Sequence, residues 1–159
     1  MLNVNGETQT AALDSFNVIK CTPSAFVGGT TDGRGDKDGT NASYKLFNVT
    51  GDVLVRIYGV CTTTLVGAGT IEVGITGNTA LLLPQVADAT TIAANDVWID
   101  GTVAEVGGAL LSNIPATTLI TNGLDIYEKV AGTDVTAGNI YYVLLWKSVT
   151  PGSKVESAV

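Results

Sequence analysis

The apolar residues of this chain fall with a period of two, and no stretch holds a helical apolar period for long. Over residues 53–61, Val53, Val55, Ile57 and Cys61 would share one face of an extended strand. Leu54, Tyr58 and Val60 make the opposite face largely apolar too. Residues 70–76 alternate with Ile71, Val73 and Ile75 inward and Glu72 outward. Residues 140–147, IYYVLLWK, are apolar on both faces, which suits a central strand or a strand lying at a subunit contact. A fourth strand is expected over 124–130, entered through Asn122 and Gly123, a strong turn dipeptide. Shorter strands are expected at 15–21, 46–50, 81–83, 96–100 and 117–121.

Composition agrees with this pattern. Thr and Val are abundant, and branching at Cβ suits a pleated surface. The 19 glycines are scattered without a fixed period, which argues against a solenoid. Only residues 84–95 and 103–111 have room for a short helix. Many short strands separated by turn residues predict an all-β chain, an antiparallel β-sandwich of jelly-roll-like form.

Residues 1–45 differ from the rest and are expected to form an extended N-terminal arm and a glycine-rich loop, with the sandwich domain over 46–159. Phe16, Val18 and Lys20 alternate with Asn17 and Ile19, as a strand added to a neighbour's sheet edge would. The run from Gly28 to Asn41 has too few apolar groups to bury and is expected to be a flexible or interface loop.

Charged residues make up 14% of the chain, against about 25% in an ordinary domain. A surface so thinly charged suits a protein that covers much of its outside with copies of itself or a partner. The net charge of −7 disfavours a phosphate-coating role, so no nucleic-acid partner is expected. No apolar stretch approaches the roughly 20 residues of a membrane-spanning helix, and no signal peptide is recognisable. Cys21 and Cys61 could form one bridge, but they match no metal or redox spacing and are expected to be buried or half-buried free thiols.

Little in the chain suggests catalysis. Histidine is absent, which removes the common general base and the Ser-His and Cys-His pairs. Asp96 with Asp100, or Asp125 with Glu128, could form a glycosidase carboxylate pair, but such spacings arise readily among 15 acidic residues. Gly28 and Gly33 have P-loop spacing, yet Arg34 and Gly35 follow where Lys and Ser or Thr are needed. Asp32, Asp36 and Asp38 could converge on calcium, but the EF-hand template fails at Arg34, Lys37 and Ser43. Arg34, Gly35 and Asp36 match the integrin-binding tripeptide, and local salt bridges within the loop explain them equally well. Trp98, between Asp96 and Asp100, could stack on a sugar, as could Trp146; core or interface anchoring is the commoner role for such rings. No catalytic residue, cofactor or metal is assigned.

The segment GGTTDGRGDKDGT, the stretch LFNVTGDVLVRIYGVCTTTLVGAGTIEVGITGNTALLLPQ and Trp98 within NDVWIDGT resemble the head decoration, or cement, proteins of tailed bacteriophages. The resemblance spans roughly residues 28–146. It implies an all-β sandwich, a homotrimer, made in the host cytoplasm and bound to the outside of an icosahedral capsid through the major capsid protein. It implies a non-enzymatic role in stabilising the shell. Candidate subunit or capsid contacts are Phe16, Val18, Tyr58, Trp98, Tyr142 and Trp146. The alternative is a carbohydrate- or receptor-binding module of a phage head or tail fibre.

Overall fold

A computed structural model describes residues 16–30, 32–39, 42–101, 105–107 and 116–159. The chain folds as two antiparallel sheets packed face to face. The first contains β1 (Asn17–Cys21), β3 (Val53–Val66), β6 (Asp96–Trp98), β7 (Glu105–Val106), β8 (Thr118–Ile120) and β10 (Ala137–Ser148), in the order β1-β10-β3-β6-β7, with β8 also paired to β3. The second contains β2 (Ser43–Thr50), β4 (Thr70–Ile75), β5 (Asn78–Val86), β9 (Ile126–Ala131) and β11 (Lys154–Ser157), in the order β11-β2-β9-β4-β5. The all-β sandwich expected from the sequence is therefore present.

Alternation builds the core. Val53, Val55, Ile57 and Cys61 of β3 are all buried, as are Ile140, Tyr142 and Leu144 of β10 beside them. The second sheet supplies Leu46, Phe47, Ile71, Val73, Leu83, Ile126 and Val130 to the same core. Strand β10 is central, held between β1 and β3; its inward side chains enter the core, while the outward set of Tyr141, Val143 and Leu145 stays partly exposed. Asn122 and Gly123 both take positive φ in the turn before β9, as that dipeptide predicts. Within 84–95 the only helix is a single 3-10 turn, Ala89–Thr91, capped by the Asp88 side chain. Most of 103–111 lies outside the described residues.

Glu72 stands on the outer face of its sheet as expected, but it is buried there, because Gln85 of β5 covers it and donates from Nε2 to Oε2 at 3.0 Å. Three expectations need correcting. Residues 16–27 are no detached arm: β1 pairs with β10 of its own chain, and Cys21 and Phe26 enter the core. The boundary expected at 45/46 falls inside β2. Residues 1–15, the rest of the expected arm, lie outside the described residues.

The glycine-rich run is the third correction. It is a loop, but it is packed against the sandwich and sends Arg34 into the core, where its side chain is fully buried. Gly28 and Gly35 let the loop lie backbone to backbone on the β9–β10 connection. Gly28 N–H donates to Val135 O at 3.0 Å, and Val135 N–H donates to Gly35 O at 2.8 Å. A Cβ at Gly28 would stand 2.5 Å from Val135 O, and one at Gly35, where φ is +94°, 2.3 Å from it. Nε and Nη2 of Arg34 donate to the two oxygens of Glu128 at 3.0 and 2.6 Å. Nη1 donates to Ser24 O at 2.6 Å and Asn139 Oδ1 at 3.0 Å, and Nη2 also reaches Ile140 O at 3.3 Å. Phe26 covers the guanidinium face, with 3.9 Å from the ring centre to Cζ.

Candidate interaction surface

The outward residues of the first sheet form a surface of apolar side chains and cations. On β3 these are Leu54, Arg56, Tyr58 and Val60, each partly exposed, standing opposite the buried set of the same strand. On β10 they are Tyr141, Val143, Leu145 and Lys147. Register aligns them with neighbours in rows across the sheet. Val18 of β1 lies beside Leu145 and then Arg56; Lys20 lies beside Val143 and then Tyr58. Tyr141 lies beside Val60 and then Val97 of β6, and Lys147 beside Leu54 and then Leu119 of β8.

Two of these apolar groups are plainly in solvent: Val18 is 66% exposed and Leu119 52%. Exposed Lys20 lays its Nζ 3.9 Å from the centre of the Tyr141 ring. Beside them the surface sinks into a shallow depression of about 540 Å³, whose walls include Tyr58, Val60, Thr62, Asn95, Val97 and Tyr141. The outer face of the second sheet is built differently. There Lys45 Nζ binds Asp125 at 2.8 Å, Gln85 binds Glu72, and Lys129 stands in register with Glu72. Polar pairs stand on that face around Tyr127, whose ring lies beside Lys45, while on the first sheet apolar side chains are interleaved with cations.

The candidate contact residues divide accordingly. Val18 and Tyr58 stand on the apolar face. Phe16 is partly buried just before β1, and Trp146 points inward, partly buried against the core. Trp98 and Tyr142 are wholly buried, in edge-to-face contact with ring centres 6.2 Å apart, so neither can meet a partner or stack on a sugar. Lys20, grouped with Val18 in the sequence, also belongs to the face, as do Tyr141, Val143, Leu145 and Leu119, which were not named as contacts from the sequence. The signal for the β10 members was present in the second apolar parity of IYYVLLWK.

The motifs weighed for chemistry resolve into structural contacts. Asp125 and Glu128 do not work together. Asp125 receives Lys45 and the Val49 N–H on one side of the sheet, whereas Glu128 points inward to Arg34 and to the Tyr142 hydroxyl at 2.5 Å. Burial alone would raise the Asp125 carboxyl, but those two donors hold it below the ordinary range. Asp96 is buried and accepts the Ala93 N–H at 2.8 Å, while Asp100 is exposed. Buried Arg34 cannot present an integrin-binding tripeptide, and its salt bridge reaches a residue 94 positions away, not a neighbour in the loop. Asp36 accepts the Asp38 N–H at 3.3 Å, and Lys37 sits between Asp38 and Asp134. Both cysteines are free and buried, and burial pushes the Cys61 thiol up to about 11.

Compared with protein-family models, curated proteins and solved structures, the chain has no match.

Proposed function

We propose that this chain is a non-enzymatic virion structural protein that seats on the outer surface of a bacteriophage capsid as a decoration protein and stabilises the shell. The observation that carries the reading is the outer face of the first sheet. Rows of apolar side chains and cations run across three strands at a time there, whereas ion-paired and hydrogen-bonded side chains stand on the corresponding face of the second sheet. A large exposed apolar patch with a mixed polar margin is the usual mark of a protein-binding surface. The low charge content and the likeness of residues 28–146 to cement proteins point the same way. Three of the carboxylates considered for catalysis, Asp96, Asp125 and Glu128, are engaged in ion pairs or backbone contacts, which favours a structural role over a hydrolytic one. With Trp98 in the core, the sugar-stacking alternative loses the residue on which it was built.

Mass spectrometry of purified virions tests the reading directly. Hundreds of copies per particle support shell coverage; a dozen or fewer place the protein at a vertex or tail, and absence removes the proposal. A trimer is the assembly this reading expects, and light scattering of the purified chain would give a mass near three subunits. A monomer at high micromolar concentration removes that part of the proposal.

A further inference from the structure

The face described above has a chemistry that selects among partners. Its outward positions on β1, β10 and β3 carry Lys20, Arg56 and Lys147 and no carboxylate, in a chain of net charge −7, and the nearest acidic register position is Glu105 of β7, beside Val97 at the far edge. Two copies meeting face to face would bring that cationic set against itself, which costs association energy in any partly desolvated contact. A partner with carboxylates set among apolar groups would meet both features at once. The size of the face agrees with such an encounter. Seven-residue stretches of β10 and β3, with the five residues of β1 and three each of β6 and β8, offer on the order of 400 Å² on this side at about 3.4 Å per residue and 4.8 Å between strands. A total of roughly 800 Å² is the size of a weak contact, suited to a subunit held many times over on a lattice.

We propose that the outer face of the first sheet binds an acidic, apolar segment of a different protein, with one large apolar side chain of that segment seated in the depression between Tyr58, Tyr141 and Val97. Lys20 is the specificity element. It stands exposed at the edge of the depression, held over Tyr141, where a carboxylate beside the anchoring side chain meets it. The inference deepens the capsid-binding reading and rests on it for the partner's identity, but the chemistry of the face can be tested without capsids.

The full chain, immobilised, is used to select binders from a random library of peptides about a dozen residues long. Enriched peptides are expected to place Asp or Glu within two positions of Phe, Trp, Leu or Met. Their binding should weaken about tenfold or more in Lys20→Glu and in Tyr141→Ala, and fall as salt rises past about 0.5 M. Lys20 is exposed on a short edge strand, so Lys20→Glu should fold as the parent does, and an unchanged melting temperature checks this. Basic or charge-free peptides, or binding indifferent to Lys20→Glu, would overturn the proposal. So would a light-scattering dimer of the parent chain that Lys20→Glu dissociates, because the occupant would then be a second copy. A pull-down on shells stripped of this protein separates the two readings. If selected peptides obey the rule but shells are not bound, the capsid reading falls and the face proposal stands. If shells bind parent and Lys20→Glu equally, the face proposal falls and the capsid reading stands.

Discussion

Removing the Arg34 side chain should cost this fold more than any exposed substitution. The guanidinium makes five hydrogen bonds in the core, two of them a parallel pair to Glu128. In Arg34→Met the stem would still pack on Phe26. Glu128 would keep only the Tyr142 hydroxyl, and the acceptors at Ser24, Asn139 and Ile140 would lose their donor. Breaking a buried ion pair from one side costs about 3–5 kcal/mol, because the remaining charge stays buried without its partner. For a domain of this length, that corresponds to a fall of roughly 6–20 °C in melting temperature. Replacing both charges behaves differently. Arg34→Met with Glu128→Leu and Tyr142→Phe removes the ions and their desolvation cost together, so most of the lost stability should return. Urea unfolding of the parent, Arg34→Met, Glu128→Leu with Tyr142→Phe, and the combined variant measures the coupling, expected at about 2 kcal/mol or more. A loss below about 1 kcal/mol in Arg34→Met, or strict additivity across the cycle, would show that Arg34 is not what ties the glycine-rich loop to the sandwich.

Other outcomes follow from the same contacts. Burial raises the Cys61 thiol to about 11 and, beside Glu128, lifts the Tyr142 phenol well above its ordinary value, so both lose protons more readily unfolded than folded. Their contribution is full below about pH 8.5 and is lost progressively as pH rises from there through 11, the Tyr142 part extending higher; a melting temperature unchanged from pH 7 to 11 would refute this. Deleting residues 1–27 should abolish cooperative unfolding, because it removes β1 with buried Cys21 and Phe26; a truncated chain with the parent's melting temperature would return this segment to the status of an arm. Gly35→Ala should destabilise by more than 1 kcal/mol, from its positive φ and from a Cβ driven against Val135 O, measured by the urea midpoint.

How much of this was legible in the sequence depended on the distance over which each feature is decided. The alternation in β3 and β10 is written in consecutive residues, so their buried faces could be read directly, as could the turn at Asn122 and Gly123. Strand β11, with a single buried apolar residue, Val155, offered too little period to find. Glu72 alternates like a solvent-facing residue, and only the side chain of a neighbouring strand covers it. Arg34 is the extreme case: its loop is polar and glycine-rich, and the acceptors that make its burial tolerable lie 10, 94, 105 and 106 positions away. The N-terminal segment misled for a related reason. An edge strand paired on one side buries only alternate residues, so β1 has the composition of a linker although its inward positions complete the core. The interaction face was half legible. The second apolar parity of β10 announced that something must cover it, but its meaning depended on which strands lay beside it. Only pairing with β1 and β3 brings Lys20 to Tyr141 and sets Val18, Leu145 and Tyr58 on one surface. Periodicity can therefore say that a strand has two apolar sides, and topology must add what shares the outer one.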